Sequence, residues 1–297
     1  MQNYEISAKM STFAHMADHA EEYPQAPQRL ERDFIADTSA CQLLLRISAD
    51  ELYVMIYNPH VDNSLITASI PLADTLLNCL EEAVYDNPLL LRDFARVDVM
   101  FDSSAYMLLP TSVAEEDVIG LLSTALPDAP KNVIEDTLTP SIKLAYCLDA
   151  ALEGFVRRTF FNARLHHRLT PLIQYFTRGL KRNATRIYVN IKAASIDIVA
   201  VDHSQLLLAN TFNKATVEDA VYYIISVRDM LFHQQLSRGE TVEIVLAGAS
   251  ALRAAIAPLL GRYAPPVSPV IFPSAMFHAG GAAMDAPFEL TVTSLCE

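Results

Sequence analysis

Two short turns carry the residues of this chain best suited to chemistry. One holds Arg46 and Ser48; the other holds Asn190, Lys192, Ser195 and Asp197. The second lies in "IYVNIKAASIDIVAV" (Ile187–Val201), two apolar runs around a polar turn without glycine. An arginine grips phosphate bidentately and a lysine acts as a point charge, while serine hydroxyls add donors. The set would therefore suit a small anion held without metal. The favoured alternative is plainer: Arg46 and Lys192 pair with the acidic first domain or reach water. A third candidate is "IVLAGAS" (Ile244–Ser250), where Gly248 and Ser250 occupy a strand-to-helix turn. That turn is also a common packing device.

Other groups offer less. His166 and His167 are adjacent and must point in different directions, so a shared metal is disfavoured against a hinge or cap role in a basic linker. His203 reads as a turn residue. Ser123, Ser250 and Ser274 lack a G-x-S-x-G elbow. Asp50, Asp102, Asp149 and Asp197 lie at strand ends, where solvated turn residues accumulate. Cys41, Cys79, Cys147 and Cys296 are scattered without a C-x-x-C pair and read as reduced thiols, with no zinc site expected. Gly280-Gly281 is too isolated to form a phosphate loop.

These turns must be positioned by strands. Cys41–Ser48, Glu51–Asn58 and Ser64–Ile70 are short, apolar and rich in strand formers. A helix follows, with Leu76, Leu80 and Val84 on one stripe. The second half repeats the order: strands over Arg186–Ile191, Asp197–Asp202 and Gln205–Phe212, then a helix opened by a Thr216/Asp219 capping box. Repetition at this scale implies a duplicated fold. Each half continues with alternating strand and helix. Strands are expected over Arg96–Phe101, Ala105–Pro110 and Ile142–Leu148 in the first half. Those of the second half are Thr241–Gly248 and Ser268–Pro273. Helices are expected at Ala114–Ala125, over "LEGFVRRTFF" and over "SALRAAIAPLLGRYA". Three antiparallel strands followed by crossovers imply a mixed sheet flanked by helices.

Composition bounds the possibilities. The 297 residues are 52% hydrophobic and 19% charged, enough for two cores. No apolar run reaches membrane-spanning length, and the N-terminus carries no signal-peptide pattern. Membrane insertion is not expected, and a cytoplasmic location is. The net charge is −13, which disfavours nucleic acid. Residues 1–150 hold 8 Lys/Arg against 24 Asp/Glu, whereas residues 151–297 hold 14 against 11. Nine cations and no carboxylate occur from Arg157 to Lys192, a stretch that would face either solvent or an acidic partner.

Twin halves of β-β-β-α-β-α-β order resemble the actin-like ATPase (ribonuclease H-like) superfold of actin, heat-shock chaperones and sugar kinases. "IYVNIKAASIDIVAV" resembles its second phosphate hairpin, "IVLAGAS" its adenosine motif, and "RLTPLIQYFTRGL" (Arg168–Leu180) the segment before that hairpin. More closely, the chain resembles a bacterial domain family of unknown function with an actin-like ATPase fold. "LLLRISADELYVMIYNP", "LLLANTFNKATVEDAVYYI" and the ending "LCE" carry this likeness over most of residues 40–297.

The resemblance implies phosphates held by glycine-rich turns and Mg²⁺ organised by strand carboxylates. Here the residues depart. Arg46 and Asn190 stand where acids are usual, Ser48 replaces a glycine, and Lys192, Ala193 and Ala194 fill the second turn. A Cβ forced left-handed costs about 1–2 kcal/mol, so the turns should take another shape.

The expected fold is thus α/β: two duplicated actin-like domains, each a mixed five-stranded sheet flanked by helices. The expected division is an N-terminal extension (1–40), a first domain (41–165) and a second (166–297). The expected role is a protein-contact module with a degenerate nucleotide site and an unidentified protein partner. ATP or ADP is possible as cofactor and Mg²⁺ is not expected. The alternatives are an atypical nucleotide-binding ATPase or kinase, and a small-anion sensor. The candidate nucleotide or anion residues are Arg46, Ser48, Asn190, Lys192, Ser195, Asp197, Gly248 and Ser250.

Overall fold

The computed structural model describes residues 37–72, 75–178, 185–203, 205–272, 278–279, 281–284 and 286–293. Most of the expected N-terminal extension, Ser274, Gly280 and the "LCE" ending lie outside them.

Two five-stranded sheets share one topology. The first has the order β3-β2-β1-β4-β8 and the second β11-β10-β9-β12-β13. In the first, β1 (Gln42–Ile47), β2 (Glu51–Tyr57) and β3 (Ile66–Pro71) form an antiparallel meander. β1 then pairs in parallel with β4 (Arg96–Phe101), and β4 with β8 (Arg164–His167). In the second, β9 (Thr185–Ile191), β10 (Ser195–Asp202) and β11 (Gln205–Asn213) repeat the meander. β9 pairs in parallel with β12 (Glu243–Gly248), and β12 with β13 (Val267–Pro269). The central strands are apolar on both faces because helices cover both; β10 is buried from Ile196 to Val201.

The helices repeat as well. α1 (Leu76–Tyr85) and α5 (Val217–Ser237) each link the third strand of a meander to the next parallel strand. α5 opens with the expected capping box: the Asp219 amide donates to the Thr216 hydroxyl at 3.1 Å, and the Thr216 amide to Asp219 at 2.9 Å. α3 (Ala150–Thr159) and α6 (Ser250–Tyr263) follow. Asp149 is the N-cap of α3, accepting from the Ala151 and Leu152 amides at 2.8 and 3.1 Å. α4 (Leu169–Thr177) and α7 (Phe288–Thr293) each come after the fifth strand of a sheet.

The first half departs from the expected alternation. The segment after β4 does not continue the sheet. β5 (Tyr106–Pro110), β6 (Asn132–Thr139) and β7 (Ile142–Leu148) form a separate antiparallel sheet of order β5-β7-β6, with α2 (Glu115–Ala125) on one face. Val118 and Leu122 of α2 pack there on Leu109, Ala145 and Cys147. The fifth strand of the first sheet is instead β8, inside the stretch expected to be a basic linker. Its pairing with β4 carries the sheet through His167, two residues beyond the boundary expected after residue 165.

α4 and α7 lie between the two sheets. Phe176 of α4 stacks on Tyr188 of β9 at 4.2 Å and on Phe288 of α7 at 5.8 Å. Leu290 of α7 packs on Leu44, Met55 and Met100 of the first sheet. Every residue of α7 is buried, so this short helix is wedged into the core between the lobes.

Candidate functional site

The β1–β2 and β9–β10 hairpins place the expected residues at the ends of equivalent strands. Arg46, the penultimate residue of β1, lies on the sheet face that α7 covers. It is ion-paired to Glu51 on the neighbouring strand, and its Nη1 donates to Glu289 of α7 at 2.8 Å. Its guanidinium also lies 5.6 Å from the Tyr53 ring centre. Burial works against its charge, and the Glu289 and Glu51 carboxylates outweigh that and raise its pKa.

Glu289 serves both lobes. Its second oxygen accepts from Asn190 Nδ2 at 3.1 Å, and the same amide reaches Asp197 at 3.3 Å. Glu289 is 1% exposed and was not a sequence candidate. Its signal was a lone carboxylate in "APFELTVT", a stretch otherwise without charge: a charge so placed needs a buried partner.

Asp197 anchors the second cluster. Arg168, the residue between β8 and α4, is ion-paired to both Asp197 and Asp102, and donates to the Thr211 hydroxyl at 2.7 Å. Thr211 in turn donates to Asp197 at 2.9 Å. Lys192 Nζ lies 3.5 Å from Asp197 and 3.8 Å from Asp102. Burial would raise the Asp197 pKa; Arg168 and Lys192 outweigh it and hold its carboxyl below the usual range. Arg168 lies in a segment noted for its likeness alone, and its role was not legible there.

The remaining candidates stay outside this network. Ser48 closes its own turn: its hydroxyl donates to Asp50 at 2.8 Å and accepts from the Glu51 amide at 3.1 Å. Ser195 caps the second turn through its carbonyl, which accepts from the Lys192 amide at 2.9 Å. Lys214 caps the same turn, its amide donating to the Ala194 carbonyl at 2.9 Å. Among the described residues the non-glycine positions with positive φ are Asn63, Asn162 and His203. Neither hairpin turn holds one, so both avoid the left-handed strain a Cβ would suffer. Gly248 has φ +97°, and a Cβ there would stand 2.2 Å from the Ile191 carbonyl oxygen. Its glycine is required by the approach of β12 to β9. Ser250 is the first residue of α6, whose N-cap, Ala249, supplies no side-chain capping bond.

The two histidines are structural and unlike. His166 lies 3.4 Å from Asp98 and 3.7 Å from Asp136, and these carboxylates raise its pKa to about 9 against the effect of burial. His167 is fully buried, Nε2 lies 2.8 Å from the Ser103 carbonyl, and burial lowers its pKa to about 4.

In the two hairpin clusters three cations (Arg46, Arg168 and Lys192) face four carboxylates (Glu51, Glu289, Asp102 and Asp197). An entering phosphate would meet a set already net negative. Magnesium takes oxygen ligands, whereas a guanidinium and a carboxamide hold the two positions where the fold usually supplies acids. The donor set does not fit an Mg²⁺–nucleotide. Among the described residues no cluster of His, Cys, Asp and Glu has metal-holding geometry, and no helix is long and apolar enough to cross a membrane.

Comparison with known proteins agrees with this architecture. A protein with an actin-like ATPase fold and unknown function from Bacteroides thetaiotaomicron superposes with a TM-score of 0.68 at 21% identity, covering 90% of this chain and all of that one. The PilM–PilN type IV pilus biogenesis complex contains a chain that superposes with a TM-score of 0.53 at 18% identity, covering 87% and 99% respectively. At these identities the likeness is one of fold. No curated protein matches the sequence. The model of the family "Protein of unknown function (DUF3822)" matches residues 31–267. The chain belongs to that family, on an actin-like ATPase fold.

Proposed function

We propose that this protein is a protein-binding scaffold whose lobes are fixed by internal ion pairs in place of a metal–nucleotide. The observation that carries the reading is the Glu289 bridge: one buried carboxylate binds Arg46 on the first hairpin and Asn190 on the second. In a nucleotide-driven machine the corresponding link is a ligand that comes and goes. Here it is a side chain, so the lobes have no cycle to follow and the surface presented to a partner stays fixed. The likeness to a chain of the PilM–PilN complex supports a role through protein contacts.

A thermal-shift series with ATP, ADP and GTP, each with and without Mg²⁺, tests the reading. No nucleotide is expected to raise the melting temperature. A site that binds would add about 2.7 kcal/mol at a hundred times its dissociation constant, a shift of several degrees that would overturn the scaffold reading.

The second reading, an atypical nucleotide- or anion-binding site at Arg46, Ser48, Asn190, Lys192, Ser195, Asp197, Gly248 and Ser250, draws on the retained strand–Gly–helix turn at the end of β12. It requires Arg46 and Lys192 to leave their carboxylates when ligand enters. Nucleotide-dependent stabilisation lost in Arg46→Ala plus Lys192→Ala would favour it.

A further inference from the structure

A cationic cavity lies toward the other end of the first sheet from the hairpin turns. Arg96 opens β4 opposite Gln42, whereas Arg46 stands opposite Met100 near the end of the same pairing. Strand alternation puts Arg96 and Asp98 on one face of β4. The register sets Arg164 and His166 of β8 opposite Asp98 and Met100, on that same face. The cavity has a volume of about 210 Å³. Its wall combines Arg96, Arg164 and His166 with Thr170 and Gln174 of α4 and Thr293 of α7.

Three observations suit this cavity to an anion. First, among the described residues its wall holds three cationic side chains and no carboxylate. Asp98 and Asp136 hold two of these cations from outside the wall: Arg96 is ion-paired to Asp98, and His166 stands between both. Three cations thus meet two carboxylates, the reverse of the balance in the hairpin clusters. Asp136 is further occupied by the His167 amide at 2.7 Å and the Thr170 hydroxyl at 2.6 Å. The two carboxylates raise the His166 pKa to about 9, so its ring is charged at neutral pH. Second, the charges are fixed in place. Arg96 and His166 expose 11% and 28% of their side chains, and partly buried charges are screened little by salt. Asp98 takes the Nε–Nη2 edge of Arg96. A guanidinium carries five N–H donors in a fork, so one that is held by a carboxylate can also grip an oxyanion. Third, Thr170 lies in the first turn of α4, a nine-residue helix whose dipole adds positive field at that end.

We propose that this cavity binds a phosphate group, as the free ion or as a small monoester. Arginine forks match phosphate oxygens bidentately. The volume equals that of about seven waters at about 30 Å³ each, which holds a tetrahedral oxyanion and a few bridging waters. It lies below the roughly 300–1,000 Å³ of pockets that enclose larger ligands, so a base and ribose have no room. Arg96 and Arg164 grip the oxygens, and His166 supplies the third charge. A bound phosphate therefore joins β4 and β8 to α4 and α7, the two helices that lie between the sheets. The site is separate from the hairpin turns on which the scaffold reading rests.

Isothermal titration calorimetry on the full chain at fixed ionic strength tests the site, with inorganic phosphate and O-phosphoserine as ligands. At least one is expected to give a saturable heat, and the tighter of the two tells the free ion from the monoester. Arg164 is exposed, so its replacement spares the core. Arg164→Gln is expected to weaken the tighter ligand at least tenfold. Arg157→Gln removes the same charge from an exposed arginine of the same basic run, outside the wall. It is expected to change the affinity less than twofold. No saturable heat from either ligand, an affinity unchanged by Arg164→Gln, or equal losses in the two variants would overturn the site. Each of these results leaves the nucleotide thermal-shift outcome, and with it the scaffold reading, to be judged separately.

Discussion

Arg46 and Glu289 are 243 positions apart in the chain and meet at 2.8 Å. The contact joins the first hairpin to the helix that ends the second lobe. Glu289 also holds Asn190, so the residues standing in the two usual acid positions are tied to each other through one carboxylate. Both partners are largely withdrawn from water, with 14% and 1% of their side-chain surface exposed. Removing one member of such a pair is costly because the other is left charged and buried.

The Asp197 cluster should behave in the same way. Asp197→Ala leaves Arg168 and Lys192 without their shared buried anion. A loss of about 3–5 kcal/mol is expected from the urea midpoint. Thr211→Val, which removes a neutral hydroxyl from the same cluster, should cost about 1 kcal/mol. Similar small losses for both would mean that the cluster is solvated.

Stability should fall on both sides of neutrality, for two separate reasons. His166 has its pKa raised to about 9 by Asp136 and Asp98 against burial. Its contribution is complete below the unfolded value near 6.5 and is lost as pH rises through 9. His167 has its pKa lowered to about 4, chiefly by burial. Its contribution is complete above about 6.5 and is lost as pH falls through 4. Each shift corresponds to roughly 3 kcal/mol at the limit. Urea midpoints from pH 4 to 10 should show a maximum near neutrality. His166→Gln should flatten the alkaline limb and leave the acid limb in place.

Gly248→Ala should destabilise the second lobe regardless of any ligand. The added carbon meets the Ile191 carbonyl oxygen at 2.2 Å in a backbone with φ +97°. A loss of at least about 2 kcal/mol is expected from overpacking and left-handed strain together. Gly120→Ala offers the contrast: open space surrounds that position, and a gain near 1 kcal/mol is expected. Chemical denaturation of both variants checks the pair.

The repeating meander was legible because strand formers, turn residues and the capping box at Thr216 and Asp219 are local signals. In the inserted unit β5, β7 and α2 were legible, but β6 and the separation of these strands from the main sheet were not. β6 reads "NVIEDTLT", with acidic and hydroxyl residues that weaken the apolar pattern, and its strand character depends on pairing with β7. β8 hid among arginines and histidines because Asp98 and Asp136, distant in sequence, neutralise His166. The hairpin residues lie near strand ends; Arg46 and Lys192 pair with Glu51 and Asp102 of the first half, as the plainer reading had it, and also with Glu289 and Asp197 of the second half, which it did not include. Their partners Glu289 and Arg168 come from α7 and the β8–α4 junction, contacts that only the duplicated fold creates.

A double-mutant cycle on Arg46 and Glu289 tests the account most directly. Arg46→Met and Glu289→Leu are each expected to lose about 3 kcal/mol of unfolding free energy, and the double variant to recover most of that loss by removing both charges. The predicted coupling is at least about 2 kcal/mol. Losses that add within about 0.5 kcal/mol would contradict the claim that this buried pair holds the lobes together.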